Sequence, residues 1–137
     1  MNRAENIAFE HVLLPVAILN SDTENPRKRN ARNLAAIQAS IKDHGQVEPV
    51  VVQKGSHKVI HGNGRLQVMA DMGYTEVACA LVDVDDQQAR KLSIVLNRSG
   101  ELAEWDESVL SAHITDLLAY DPDFAPDVLG FSDDEID

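Results

Sequence analysis

The feature that most constrains this chain is a glycine-rich turn, HGNGR at residues 61–65, which joins two segments of different periodicity. Residues 58–60 before it are typical of a strand, and residues 66–72 after it, closed by Gly73, are typical of a helix. Such a layout can hold a phosphate, because the amides of the turn are uncovered, the helix presents its positive end and Arg65 adds donors. The other interpretation is a tight turn that needs glycine only for its backbone angles. The pattern by itself favours neither interpretation.

The remaining pattern predicts an α+β fold, a small mixed β-sheet with packed helices and a helical C-terminal portion. Strands are expected at 47–53, 57–60 and 77–82, with a short edge strand or extended segment at 11–19 that Pro15 interrupts. The strands at 47–53 and 57–60 are expected to form a hairpin.

Four helices are expected, at 31–44 with Gly45 ending it, at 66–72, from 85 to 96 or 97, and at 107–118. We expect the third helix to break at residues 97–100 (NRSG) and Asp106 to cap the fourth. The fourth helix is expected to bury one stripe of side chains: Val109, Leu110, Ile114, Leu117 and Leu118. A last short helix is expected to be held on the body by four apolar side chains: Phe124, Val128, Leu129 and Phe131.

The length of 137 residues predicts one domain, and the net charge of -11 argues against this domain gripping a DNA backbone by itself. The charge is uneven, since Arg27, Lys28, Arg29 and Arg32 cluster while residues 121–137 hold seven acidic and no basic residues. A local basic patch is therefore compatible with the acidic total.

The single cysteine, Cys79, lies in an apolar run and is expected to be a buried, inert thiol in a reducing compartment. No stretch approaches the roughly 18 apolar residues of a membrane helix, and residues 1–10 do not resemble a signal peptide. A cytoplasmic protein that does not engage a membrane is expected.

Several chemistries are disfavoured by what the chain lacks. There is no cysteine pair, no nucleophile elbow and no P-loop motif, so neither an intrinsic metal site nor those enzyme classes are expected. Glu48 is the one carboxylate singled out, as a magnesium or ribose ligand or a weak catalytic candidate, against the alternative of an ordinary exposed strand residue. His61 is either a ligand contact or a structural histidine. Asn97 and Arg98 either cap a helix or fold over the phosphate.

Four segments, in the right order, resemble the ParB/sulfiredoxin-like N-terminal domain family. Residues 25–27 (NPR) resemble its N-P-x-R signature, and residues 40–52 resemble its S-I-x-x-x-G-x-x-x-P-[ILV]-x-V segment. HGNGRL at 61–66 stands where ParB proteins have G-E-R-R and sulfiredoxins G-C-H-R, and residues 96–98 (LNR) stand where ParB proteins have E-N-x-x-R. The resemblance makes residues 12–100 the core, 101–131 a C-terminal helical extension and 132–137 an acidic tail. The extension is similar to a branch found in phages and mobile elements, often attached or adjacent to a DNA modification methyltransferase.

The resemblance implies a nucleotide site for CTP or ATP with Mg²⁺, in which Asn97 would help hold the cation through the nucleotide. The candidate nucleotide- and phosphate-binding residues are Arg27, Gly45, Glu48, Pro49, His61, Gly62, Asn63, Gly64, Arg65, Asn97 and Arg98.

The departures from the family pattern narrow the chemistry. Asn63 stands where sulfiredoxins have their cysteine, and this replacement excludes sulfiredoxin activity. ParB proteins and related kinases have a glutamate at this position, so a kinase would lack its expected base here. Gly64 stands where the family motif has an arginine, so one phosphate-binding side chain is missing. Gly100 stands where the last arginine of E-N-x-x-R would be. No helix-turn-helix follows.

The prediction is a nucleotide- or phosphate-binding module, non-catalytic by itself, that serves DNA modification, partition or phage DNA metabolism in a bacterium or phage-infected host. DNA would be reached only indirectly or through a partner such as a methyltransferase, and a homodimer is compatible with the sequence. The alternatives are a nucleotide-dependent kinase or nuclease that uses Glu48, and an acidic protein-interaction module.

Overall fold

The computed structural model describes residues 9–21, 31–123, 129–131 and 135. Its elements are β1 (Phe9–Pro15), a 3-10 turn (Val16–Ile18), α1 (Ala31–His44), β2 (Val50–Gln53), β3 (Val59–His61), α2 (Asn63–Asp71), β4 (Glu76–Val82), α3 (Asp86–Leu102) and α4 (Glu107–Tyr120). The predicted α+β architecture is confirmed. Among the described residues, no helix is both long enough and apolar enough to span a bilayer.

The four strands form one mixed sheet in the order β1-β4-β2-β3. β1 runs antiparallel to β4, with Val12 opposite Cys79, and β2 runs parallel to β4, with Val50 opposite Cys79. β2 and β3 form the predicted antiparallel hairpin. Pro15 is the last residue of the edge strand β1, a position where its missing N–H is tolerated.

The core lies between one face of the sheet and the helices α1 and α2. Val50, Val52, Val59, Val77 and Cys79 are at most 1% exposed, and the core cluster around them includes Ile41, Leu66 and Met69. It is aliphatic, as the shortage of aromatic residues requires. Burial raises the pKa of the Cys79 thiol, which agrees with the predicted inert cysteine.

The predicted break at residues 97–100 is wrong, because α3 continues through these residues to Leu102. A capping box starts the helix, with the Asp85 carboxylate accepting from Gln88 N at 2.8 Å and the Gln88 side chain accepting from Asp85 N. The Asn97 side chain donates to Ser93 O at 2.7 Å, one turn back along the helix. One asparagine and one glycine cost a helix interior only about 1 kcal/mol each or less, too little to end a well-capped helix.

Other boundaries also differ from the prediction, and two of them shape the region around the glycine turn. α2 begins at Asn63, so the glycine turn contains the first turn of the helix. β2 begins only at Val50. Before it, the side-chain amide of Gln46, and not a strand backbone, forms the hydrogen bonds to β4. This amide accepts from Ala78 N at 2.8 Å and donates to Ala78 O at 2.9 Å.

The C-terminal helix α4 starts as predicted, with Asp106 accepting from Val109 N at 3.1 Å. Its predicted buried stripe is only partly correct: Ile114 is buried, while Val109 and Leu117 are exposed. Phe124 and Val128 of the predicted last helix lie outside the described residues. Phe131 contacts Trp105, with 5.8 Å between ring centroids. The division into a core and an extension around residue 100 stays a prediction.

Candidate functional site

A cavity of about 510 Å³ opens beside the glycine turn, and we call it the turn cavity. Its volume lies within the range of small-molecule sites. It is lined by Asn33, Ile37, Glu48, His61, Gly62, Arg65, Leu96, Asn97, Gly100 and Glu101. The structure therefore brings together five of the predicted site residues: Glu48, His61, Gly62, Arg65 and Asn97.

Gly62 is the residue on which the shape of the turn depends. It precedes α2 as its N-cap with φ +99°, in the left-handed region that favours glycine, and its carbonyl accepts the first helical hydrogen bond from Leu66 N. A Cβ at this position would lie 3.4 Å from the Val50 Cα and 3.4 Å from Arg65 Nη1. The guanidinium of Arg65 therefore lies against the turn, and a side chain at position 62 would be both strained and crowded.

Arg65 is paired with a carboxylate at the wall of the turn cavity. Its Nη2 donates to Glu48 Oε2 at 2.6 Å, and the Arg65 side chain is 20% exposed while that of Glu48 is 68% exposed. This pair argues against a phosphate site in which the arginine is unpaired, because one edge of the guanidinium already contacts a carboxylate. An ion pair with so exposed a carboxylate is worth little, so a more highly charged anion can compete with Glu48 for the arginine.

The wall opposite the turn is formed by α3. Leu96, Asn97, Gly100 and Glu101 all line the turn cavity, and they share one helical face only because α3 does not break. Arg98 is not among the lining residues and contacts Glu101, with 3.3 Å between Nη1 and Oε2. The charged lining consists of one guanidinium, Arg65, and two carboxylates, Glu48 and Glu101, so positive charge does not predominate in the cavity.

Several predicted site residues are not part of this lining. Gly45 ends α1 with φ +76°, and Pro49 faces a different groove next to β1. Asn63, Gly64 and Arg98 are near the cavity in sequence but do not line it. Arg27 lies outside the described residues.

Sequence reasoning missed Asn33, Ile37, Leu96, Gly100 and Glu101. Asn33 and Ile37 are one turn apart on α1, a spacing that could have indicated a common face. Gly100 and Glu101 were hidden by the predicted helix break, whereas Leu96 precedes that break.

The described residues offer no group of three His, Cys, Asp or Glu side chains that could hold a metal ion by themselves. His57 and His61 are four positions apart, but His57 precedes β3 and His61 is its last residue, so they do not share a helix face.

Comparison with known proteins gives a family and two curated relatives. The sequence model of the ParB N-terminal domain matches residues 1–98. The probable plasmid-partitioning protein ParB of Thermus thermophilus is 32% identical over 96 residues, which is 69% of this chain and 32% of that protein. The nucleoid occlusion protein of Geobacillus thermodenitrificans is 24% identical over 109 residues, 76% of this chain and 39% of that protein. The chain thus spans 32% and 39% of the length of these two relatives.

Solved structures share the fold. C-terminally truncated chromosome-partitioning ParB from Caulobacter crescentus complexed with CTP-gamma-S matches with a TM-score of 0.75 and 17% identity, over 93% of this chain and 74% of that one. The same truncated protein complexed to the centromeric parS site matches with a TM-score of 0.52 and 15% identity, over 91% and 67%. Sulfiredoxin from Arabidopsis thaliana matches with a TM-score of 0.51 and 16% identity, over 61% and 96%. The match of its sequence over residues 1–98 places this chain in the ParB N-terminal domain family.

Proposed function

We propose that this domain binds a nucleotide in the turn cavity, without catalysis of its own, with the phosphates at Arg65 and the glycine turn. The observation that carries the proposal is the meeting of Gly62, Arg65 and Asn97 around one cavity of ligand size. The ParB neighbour complexed with CTP-gamma-S supports it, because that protein shares this fold.

The phosphate contacts follow from the positions of the turn and the arginine. The N-terminus of α2 carries the positive end of the helix dipole, and Gly62 provides no capping side chain that would cover it. Arg65 Nη1 lies close to Gly62, so a phosphate beside the turn would meet the guanidinium as well.

Magnesium fits this site as a companion of the nucleotide. Mg²⁺ prefers oxygen ligands and is commonly held by one or two carboxylates together with substrate phosphates. Glu48 would supply a carboxylate and Asn97 an amide oxygen, and the cation would offset the excess of acid that Glu48 and Glu101 bring to the lining. When bound, the cation would neutralise phosphate charge.

The rest of the lining suits a base and a sugar. Ile37 and Leu96 are apolar, whereas Asn33 and His61 present hydrogen-bonding groups. Both CTP and ATP are compatible with such a mixed wall, so the choice of base is left to the experiment.

Isothermal titration with CTP, ATP and ADP, each with Mg²⁺ and with EDTA, tests the proposal. We expect binding of at least one nucleotide, and a loss of about tenfold or more in Arg65→Gln, since charge-assisted hydrogen bonds are worth about 1.5–3 kcal/mol. Lys91→Gln removes the same charge from α3 outside the cavity lining and serves as the control. If no nucleotide binds at millimolar concentration, the proposal fails.

The biological setting that we propose is DNA modification, partition or phage DNA metabolism in the cytoplasm of a bacterium or phage-infected host. The family includes partition and nucleoid occlusion proteins. We predicted that DNA is contacted only indirectly. One ParB neighbour is solved in complex with the centromeric parS site, so this prediction does not hold for all ParB proteins. For this acidic domain we propose that DNA contact is made through a partner, such as a methyltransferase. An electrophoretic mobility assay at low salt, with and without nucleotide, would contradict this if the domain alone retained DNA.

A further inference from the structure

The segment that carries Glu48 to the turn cavity is held on the sheet by the side chain of Gln46. Gln46 Oε1 accepts from Ala78 N at 2.8 Å, and Gln46 Nε2 donates to Ala78 O at 2.9 Å. The same Nε2 also donates to the backbone carbonyl of Glu48 at 3.0 Å. One side-chain amide therefore joins the backbone of Glu48 to β4.

These three contacts use both kinds of hydrogen-bonding atom in a primary amide. A glutamine side chain has two N–H donors and one carbonyl acceptor. The N–H of Ala78 requires an acceptor, whereas the carbonyls of Ala78 and Glu48 require donors, so the partners themselves fix the orientation of the amide. A carboxylate of the same shape would keep only the bond to Ala78 N and would face two carbonyl oxygens.

The segment between α1 and β2 lies outside regular structure. α1 ends at His44 and β2 begins at Val50, while Val47 is 73% exposed. Exposed residues with few packing contacts move at little cost unless a bond to a rigid element holds them. The Gln46 amide supplies such a bond, because β4 is paired with β1 on one side and with β2 on the other.

The position of the Glu48 backbone decides where the Glu48 carboxylate can reach. Glu48 Oε2 accepts from Arg65 Nη2 at 2.6 Å, and both residues line the turn cavity. A series of contacts thus leads from Ala78 through Gln46 and Glu48 to Arg65 in the first turn of α2. An ion pair with an exposed carboxylate contributes little by itself, so a shift of the Glu48 backbone would readily break it.

We propose that Gln46 is a positioning residue of the nucleotide site. By holding the backbone of Glu48 on β4, it places the Glu48 carboxylate where it can pair with Arg65 and, with a nucleotide bound, ligate Mg²⁺. This inference rests on the proposed function. Gln46 does not line the turn cavity, so its effect on binding passes through Glu48.

Isothermal titration with CTP and with ATP, each in Mg²⁺ and in EDTA, tests the proposal. We expect Gln46→Ala to lower the ratio of the affinity in Mg²⁺ to the affinity in EDTA by about fivefold, the order of one exposed carboxylate contact. In a Glu48→Gln background the same substitution is expected to leave this ratio unchanged, because the group that it positions is gone. A purely structural role of Gln46 would weaken binding by the same factor in both conditions, and that result would overturn the proposal.

Two further variants control for stability. Gln53 also makes three side-chain hydrogen bonds, to Val84 O, Asp86 Oδ1 and Ser56 Oγ, but it lies outside the lining of the turn cavity. Gln53→Ala is therefore expected to lower the unfolding temperature and to leave the affinity ratio unchanged. Gln46→Met keeps the length of the side chain without its polar atoms, and it is expected to reproduce the lowered ratio even if Gln46→Ala does not fold. An equal fall of the ratio in Gln53→Ala would overturn the proposal.

A measurement on the free protein distinguishes this proposal from the proposed function. The ion pair with Glu48 should slow the rotation of the Arg65 guanidinium, which side-chain ¹⁵N spectra detect. We expect Gln46→Ala to speed this rotation as Glu48→Gln does, and Gln53→Ala to leave it unchanged. If the rotation responds in this way but no nucleotide binds, the nucleotide site fails and the hold of Gln46 on Glu48 stands. If a nucleotide binds and the rotation is unchanged in Gln46→Ala, Gln46 does not position Glu48 and the proposal is overturned.

Discussion

Arg65 and Glu48 form an ion pair of 2.6 Å at the wall of the turn cavity, which joins the first turn of α2 to the segment just before β2. The arginine is mostly buried and its partner is mostly exposed. The two side chains therefore have unequal freedom: the guanidinium is held in place, while the carboxylate can move into solvent. In our proposal, this lets Glu48 give up the arginine to a phosphate.

Replacing Glu48 by glutamine is expected to have opposite effects with and without magnesium. Without Mg²⁺, Glu48→Gln removes a competitor for Arg65, and nucleotide affinity is expected to rise by about fivefold, corresponding to about 1 kcal/mol. With Mg²⁺, the variant loses a metal ligand and the affinity is expected to fall. Isothermal titration in EDTA and in Mg²⁺ measures both.

An equal change of affinity under the two conditions would show that Glu48 does not bind the cation, and an unchanged affinity in EDTA would show that it does not compete with the nucleotide for Arg65. The same variant addresses the alternative of a kinase or nuclease that uses Glu48. Any turnover by the protein that persists in Glu48→Gln would remove this carboxylate as its catalytic group.

Gly62→Ala is expected to destabilise the domain by about 2 kcal/mol, because it forces a side chain into a left-handed conformation and against the Val50 Cα. Gly55→Ala is the matched control: Gly55 has a similar φ of +94°, but a Cβ there would have nothing within 4 Å. Urea denaturation of both variants measures the difference that crowding adds. If the two lose the same stability, close packing at the turn is not what requires Gly62.

Gly100→Ala is expected to stabilise the domain by about 0.5–1 kcal/mol. Gly100 lies within α3 without a positive φ, and a Cβ there would meet open space, so alanine gains helix propensity at no steric cost. Thermal and urea unfolding measure this gain. A loss of stability would mean that the helix is interrupted at Gly100 in solution.

The buried thiol of Cys79 predicts a pH dependence of stability at alkaline pH. Burial raises its pKa in the folded chain, so the unfolded chain releases the thiol proton first. Its contribution is fully present below the unfolded pKa of about 8.5, and it is lost as the pH rises from there through the folded value. Unfolding free energies between pH 7 and about 10 should fall more steeply for the natural chain than for Cys79→Ala. Equal slopes would contradict the burial argument.

The sequence predicted those elements whose signals are local. The helix Ala31–His44 and its glycine terminator, the β2–β3 hairpin and the Asp106 cap each depend on neighbouring residues, and each agrees with the structure. The start of β2 was missed because the side chain of Gln46 occupies backbone partners on Ala78, more than 30 residues away in the chain.

The candidate site was predictable only around the turn. The sequence pointed to Gly62 and Arg65, but the contact of Arg65 with Glu48 joins residues 17 positions apart, and no local pattern signals it. The contribution of α3 was obscured because the NRSG run was given more weight than the strong cap at Asp85. The roles of these residues in binding stay predictions.

The continuity of α3 has a mechanical consequence. Ser93 lies in the N-terminal half of this helix and Asn97 and Gly100 lie in its C-terminal half, and the Asn97 amide donates to the Ser93 carbonyl between them. A ligand in the turn cavity that displaced the helix would therefore also displace its N-terminal half, which packs against β3. By thermodynamic linkage, any ligand bound near β3 that changed the affinity for a ligand in the turn cavity would have its own affinity changed by the same factor.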